Sequence, residues 1–183
     1  MYYHSSQYLS CNKVVGDYFH FGVGSGADFV AAYREHRGIN RHFYLFDSFA
    51  GLPAPKDTLD GKYHKGKYTF SKESLVQKLH KQGIPQSDYT IVQGYFSNIP
   101  LLDLKNKAAL VILDCDLWES TMDALRFIKP YLQSGTVILA GEYFNYRADF
   151  TRGMAGAINN CFKSELVSWR PYGDSGMSFI YKG

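Results

Sequence analysis

His20-Phe21-Gly22-Val23-Gly24-Ser25-Gly26 is the stretch whose reading decides the fold. It closes a strand near Tyr18–Phe21 and precedes Ala27-Asp28-Phe29-Val30-Ala31-Ala32-Tyr33, which opens as a helix. Strand, glycine-rich turn and helix together let backbone N–H groups come close to a nucleotide-like cofactor. Glycine serves where a Cβ would collide with a ligand or where φ turns positive. The same turn can also be a tight strand-to-helix connection and nothing more. Asp47 tips the balance. It ends the next strand-like run, His42-Phe43-Tyr44-Leu45-Phe46, 25 residues after Gly22 and 21 after Gly26. An acidic side chain there can accept hydrogen bonds from ribose hydroxyls. A cofactor with an adenosine half is expected.

Outward from that unit, strands and helices alternate. A helix near Asp28–Arg37 stops at Gly38, and a second strand covers Phe43–Phe46. Residues Ser48 to Tyr68, with two prolines and several glycines, form a long loop of the kind that is functional or mobile. Ser71 caps a helix with Leu75, Val76 and Leu79 on one face and Gly83 as its stop. Strands follow at Tyr89–Val92, Ala109–Leu113 and Thr136–Leu139. The unbroken apolar run Ala109–Leu113 suits a strand buried on both faces of a parallel sheet. Ser120-Thr121-Met122-Asp123 reads as a capping box, opening a helix that Pro130 and Gly135 terminate. A helix near Asp149–Phe162 precedes a β-hairpin, Leu166–Arg170 and Met177–Tyr181 around Gly173-Asp174-Ser175-Gly176. Residues 1–16 show no clear periodicity. This predicts an α/β fold: a doubly wound, mostly parallel seven-stranded sheet with a C-terminal antiparallel hairpin. A dinucleotide-binding domain tends to end on another βα unit, whereas a class I methyltransferase ends on such a hairpin.

At 183 residues, 45% of them hydrophobic, the chain reads as a single domain, 1–183, with 1–16 as a short N-terminal segment. A net charge of +3 without Lys/Arg blocks argues against nucleic acid. No segment approaches the ~18 apolar residues of a membrane span. Residues 1–20 lack a basic start followed by an apolar block, so no secretory signal is expected. Cys11, Cys115 and Cys161 match neither a disulfide framework nor a C-x-x-C pair, so reduced thiols in a cytoplasmic protein are expected. The 15 Tyr and 13 Phe read first as core packing and second as ring stacking in a pocket.

Ligands of open α/β sheets sit beyond the carboxyl ends of the strands. Asp47, Asp114, Asp116 and Glu142 fall there. If the fourth and fifth strands are neighbours, ~4.8 Å apart, Asp114 and Glu142 reach one ion or one hydroxyl, and carboxylate oxygens are what Mg²⁺ prefers. Asp116 reads equally as a ligand and as a loop brace, and Glu142 also as a solvent-facing residue. Ser48-Phe49-Ala50-Gly51-Leu52-Pro53 either folds over the ribose or is an ordinary turn. Gly94-Tyr95-Phe96 is placed to cover an adenine, although both rings could be core. His36 and His80 read as solvated helix faces. His64 reads as a surface residue before it reads as an acid–base group.

Phe21-Gly22-Val23, Phe46-Asp47-Ser48-Phe49-Ala50-Gly51-Leu52-Pro53, Gly94-Tyr95-Phe96 and Leu113-Asp114-Cys115-Asp116-Leu117-Trp118-Glu119-Ser120-Thr121 together resemble the macrocin O-methyltransferase family. These are class I S-adenosylmethionine-dependent enzymes that methylate hydroxyls, often on natural-product sugars, with a divalent metal. The resemblance spans roughly residues 16–181. It implies a Rossmann-like methyltransferase fold, S-adenosylmethionine and Mg²⁺ as cofactors, and a small-molecule hydroxyl acceptor. It implies Asp114 as metal ligand, Asp47 on the ribose and Gly22, Gly24 and Gly26 facing the methionine part. Ser48, Gly94, Tyr95, Phe96 and Asp114 complete the expected cofactor contacts, and Asp114 with Glu142 the metal and catalytic set.

Three departures stand out. His20 occupies the place of the family's usual acidic residue before the glycine turn. Gly141-Glu142-Tyr143 carries one acidic residue where two are usual. Only about sixteen residues precede the first strand, where relatives have a longer segment that covers the acceptor and contributes to oligomers; a homo-oligomer is an open expectation. Two rivals remain: a nicotinamide-dependent oxidoreductase, disfavoured by the hairpin and by the lack of a Tyr-x-x-x-Lys pair after the fourth strand, and a non-catalytic relative, suggested by His20 and Gly141.

Overall fold

Alternate residues of the central strands must find apolar cover on opposite sides, because successive strand side chains point to opposite faces. The computed structural model, which describes residues 1–57, 62–100 and 102–183, provides it with two helical layers. The strands are β1 (Asp17–Phe21), β2 (Phe43–Asp47), β3 (Tyr89–Gln93), β4 (Ala108–Leu113), β5 (Leu132–Ala140), β6 (Leu166–Tyr172) and β7 (Gly176–Tyr181). The helices are α1 (Tyr2–Cys11), α2 (Ala27–His36), α3 (Lys72–Lys81), α4 (Trp118–Ile128) and α5 (Gly153–Cys161). Tyr18, Leu45, Leu110, Ile112, Val137 and Leu139 pack under α1, α2 and α3. Phe19, Phe21, Phe46, Val111, Leu113, Ile138 and Ala140 pack under α4 and α5. Most aromatic rings serve these layers; Phe21 and Phe46 stack with centroids 4.5 Å apart.

The sheet runs β3-β2-β1-β4-β5-β7-β6. β1 to β5 are mutually parallel, and β7 inserts antiparallel between β5 and β6. This is the predicted doubly wound sheet with its terminal hairpin. The order reverses between β1 and β4, and in such a sheet that crevice is where ligands bind. Ser71 caps α3 as expected, accepting from the Ser74 N–H at 3.2 Å. Among the described residues no helix is long and apolar enough to cross a membrane.

Four local expectations are corrected. Residues 2–11 are helical, and the face they bury carries Ser5 and Ser6 beside Leu9, which hid the helix from a search for apolar periodicity. Helix α4 starts at Trp118 and has no side-chain cap. Asp116 reverses the chain early at φ 58°, and Thr121 lies inside the helix, donating back to the Leu117 carbonyl at 2.8 Å. Gly135 lies within β5 rather than ending a helix. Helix α5 starts at Gly153, not Asp149, because the Asp149 side chain accepts from the Thr151 N–H and hydroxyl and holds a turn instead.

His36 corrects a fifth. It is 0% exposed and ties α2 to α1. The Ser5 hydroxyl donates to the Tyr2 carbonyl at 2.8 Å, so His36 Nε2, 3.0 Å from Ser5 Oγ and 3.2 Å from Tyr2 O, carries the proton and donates to both. Nδ1 is buried without a partner. Protonating it would bury a charge, and the pKa is accordingly lowered to about 4, chiefly by burial. A depressed histidine pKa contributes stability that is full above the unfolded value and is lost as pH falls through the folded one. The stability advantage of the parent over His36→Gln should therefore shrink between pH 6.5 and about 4, by up to about 1.4 kcal/mol per pH unit. Urea titrations across that range measure it; a difference independent of pH would contradict this account.

Candidate active site

The glycine turn, the β2–loop junction and the ends of β3, β4 and β5 surround one cavity of about 550 Å³, within the ~300–1,000 Å³ usual for ligand sites. The three glycines do different work. Gly22 (φ 90°) lines the cavity, but a Cβ there would lie 2.0 Å from the Asp114 carbonyl oxygen, so β4 itself demands glycine. Gly24 (φ 51°) lines the cavity beside the Phe70 ring. Gly26 (φ 74°) does not line it; a Cβ there would meet Leu75 of α3 at 2.2 Å. Gly26, expected among the cofactor contacts, thus lies off the cavity wall, which Val23, Ser25 and Asp28 line.

Asp47 is 8% exposed and braces two loops at once. Oδ2 accepts from the Gly24 N–H and Oδ1 from the Phe49 N–H, both at 2.8 Å. Burial pushes its carboxyl up while those backbone donors pull it back. Each oxygen keeps a lone pair for a ligand hydroxyl. Ser48 also lines the cavity, with its hydroxyl donating to the Gly51 carbonyl at 2.9 Å. Gly94 donates its N–H to the Asp47 carbonyl, which sets Tyr95 and Phe96 on the cavity wall. Phe96 both lines the cavity and meets Phe21 edge-on at 5.5 Å.

At the other end stand Asp114, Asp116 and Glu142. Leu113 pairs with Ala140 in register, and the Gly141 N–H continues the ladder to the Leu113 carbonyl. Asp114 and Gly141 are therefore neighbours, and a Cβ on Gly141 would sit 3.4 Å from Asp114 Oδ1. Burial and then the charge of Asp116 raise Asp114, and burial with the charges of Asp114 and Asp116 raises Glu142. The hydrogen bond the two share pulls Asp114 back down and pushes Glu142 further up, so Glu142 is the one that holds the proton. Glu142 Oε2 is buried without a partner. Burial raises Asp116 as well, offset by a hydrogen bond from Tyr63 and by Lys62 and Lys67. Among the described residues no three His, Cys, Asp or Glu side chains are gathered as a ready-made metal site.

Residues 4–152 match the macrocin O-methyltransferase (TylF) family. The chain belongs to that family. Over 140 residues it is 27% identical to the 8-demethyl-8-(2,3-dimethoxy-alpha-L-rhamnosyl)-tetracenomycin-C 4'-O-methyltransferase of Streptomyces olivaceus, an alignment covering 71% of this chain and 54% of that protein. It thus spans about half the length of this curated relative. Among solved structures it superposes on the O-methyltransferase NovP with a TM-score of 0.82 at 19% identity, over 100% of this chain and 78% of that one. CalS11, a calicheamicin methyltransferase, gives 0.78 at 18% identity, over 100% and 77%. At these identities the superpositions bear on the fold.

As a member of the macrocin O-methyltransferase family, the chain departs from expectation at His20, which is 1% exposed and does not line the cavity. Its Nδ1 meets the Tyr18 hydroxyl at 2.9 Å, and burial lowers its pKa to about 3. It is a neutral core residue. His64 and His80 are exposed, and neither lines the cavity. Sequence reasoning missed Tyr63, Tyr68 and Phe70, all in or just after the long loop, where no periodicity marks a buried ring. Tyr68 and Phe70 line the cavity, and Tyr63 is buried behind Asp116. Replacing Asp47 with alanine frees two backbone donors and removes the acceptor facing the cavity. Asp47→Ala should weaken S-adenosylhomocysteine binding by about 1–3 kcal/mol, with a lowered unfolding temperature. Unchanged affinity, measured well below that temperature, would sink the assignment.

Proposed function

We propose that the chain transfers a methyl group from S-adenosylmethionine to a hydroxyl of a small molecule, a sugar or other natural-product hydroxyl, with help from a divalent cation. The observation that carries this reading is that the glycine turn with Asp47 and the carboxylates Asp114, Asp116 and Glu142 line one cavity. The first set suits an adenosyl cofactor and the second an acceptor hydroxyl that must lose a proton. The relative from S. olivaceus, whose name gives a 4'-O-methyl transfer on a rhamnosyl-bearing compound, supports a sugar hydroxyl. Three free thiols fit a cytoplasmic enzyme.

The residues divide the work as follows. Asp47 and the loop Ser48–Pro53 hold the ribose, and Tyr95 and Phe96 cover the adenine. Asp114 and Glu142 fit a hard cation: both offer oxygen donors, and the orphaned Glu142 Oε2 gives the site an unused ligand atom. Bound there with acceptor oxygens, such a cation would lower the pKa of a hydroxyl. Asp116, which Tyr63 and the lysines help keep ionised, takes the hydroxyl proton. The acceptor oxygen forms its bond to the methyl carbon as the carbon–sulfur bond breaks, and the electron pair neutralises the sulfonium. Alignment contributes several kcal/mol, up to ~7–11 in well-oriented cases, and a positioned base ~10²–10⁴-fold.

His20 and Gly141 favour a second reading, a relative that binds cofactor without catalysis. Gly141→Asp separates the two. Its backbone is not in the left-handed region, and the new Cβ, 3.4 Å from Asp114 Oδ1, has room. Methyl transfer followed across a Mg²⁺ titration should need less metal in Gly141→Asp than in the parent. Activity indifferent to both chelator and Mg²⁺ would remove the cation and leave the carboxylates as plain bases; no turnover in either protein would favour the non-catalytic reading.

A further inference from the structure

Tyr63 is 1% exposed although Lys62 and His64 beside it are exposed. Its ring packs with Leu117 and Tyr146, the latter stacked at 6.2 Å with an interplanar angle of 29°. The ammonium groups of Lys62 and Lys67 lie 5.2 and 5.8 Å from the ring centroid. Its hydroxyl accepts from Asn145 Nδ2 at 3.1 Å and is directed at Asp116. One side chain therefore joins three segments: the loop after β2, the β4–α4 connection and the β5–α5 connection.

Two of those segments, the loop after β2 and the β5–α5 connection, are also held together independently of Tyr63. Arg152 Nε and Nη2 each donate to Asp57 at 2.6 Å, and the guanidinium lies 4.9 Å from the Tyr146 ring centroid. An exposed ion pair adds little stability, but a two-pronged one fixes how its partners meet. Nearer the cavity, Leu52 and residues 66–67 close the loop on itself, with the Leu52 N–H on the Lys67 carbonyl and the Gly66 N–H on that of Leu52. The loop thus supplies cavity-lining residues, Ser48 and Gly51–Ala54, and also Tyr63, buried beside Asp116.

Backbone strain gathers where Tyr63 lands. Asp116 (φ 58°), Tyr146 (φ 60°) and Arg147 (φ 56°) are all left-handed without being glycine. Such residues persist only when their surroundings hold them, and they cluster at functional sites. Asp116 lines the cavity in that conformation. We infer that Tyr63 is a positioning residue: its hydroxyl, anchored by Asn145, keeps the Asp116 carboxylate turned into the cavity. Seating the loop after β2 then completes the acceptor end of the site. What Asp116 does there rests on the proposed methyl transfer; where it is held rests on the hydrogen bond from Tyr63 and on the packing of that ring against Leu117 and Tyr146.

Tyr63→Phe keeps the ring, its stacking and its burial and removes only the hydroxyl. Its unfolding temperature should stay close to the parent's. Its KM for S-adenosylmethionine should be unchanged, while kcat falls about 10- to 100-fold, part of the ~10²–10⁴ that a placed proton acceptor contributes. A merely packing tyrosine would leave kcat alone, and parent-like kcat overturns the inference. A crystal structure of Tyr63→Phe supplies a readout free of activity: the Asp116 carboxylate should swing out of the cavity with residues 48–57 still seated. Asp116 unmoved overturns the inference whatever the rate. If the parent itself transfers no methyl group, the proposed function fails and the crystal structure still decides the role of Tyr63.

Discussion

Like charges withdrawn together from water are the constraint around which this molecule is arranged. Asp114 leaves β4 level with Gly141, one residue before Glu142 on the adjacent parallel strand, because the β4–β5 register continues one residue past the strand ends. Burial raises both Asp114 and Glu142, and the hydrogen bond between them favours the proton on Glu142. Two neighbouring carboxylates that cost stability persist where something else is to be bound. The fold keeps them apart from the general core by placing them past the strand ends, on the wall of the cavity.

The glycine-turn end of the cavity obeys the complementary rule. Asp47 is instead held by backbone donors from the two loops it joins, one on each oxygen. One carboxylate thereby shapes both the glycine turn and the loop after β2. The first residues of that loop line the cavity beside Asp47, and Tyr63 further along reaches Asp116.

The strands and the class of sheet were legible because the strong signals are local: apolar runs at β4 and β5, turn glycines, and a hairpin with four turn residues. Asp47, Asp114 and Glu142 were legible because the C-terminal end of a parallel strand is a predictable place. What escaped reading was set by tertiary contact. Helix α1 buries serines against His36, so its pattern is not apolar. Gly26 looks like its two neighbours in sequence, yet Leu75 is what requires it. His36 looks solvated until α1 covers it. Tyr63 sits in a loop whose composition carries no burial signal, and only the meeting of three connections puts it under the site.

The central claim is that this cavity takes an adenosyl cofactor of the methionine type beside a carboxylate site for a cation. Isothermal titration of the chain with S-adenosylhomocysteine and, separately, with NAD⁺, each with and without Mg²⁺, tests it most directly. The account predicts a single saturable S-adenosylhomocysteine site that forms with or without Mg²⁺, and no saturable heat with NAD⁺. Absence of S-adenosylhomocysteine binding, or equal binding of NAD⁺, would contradict it.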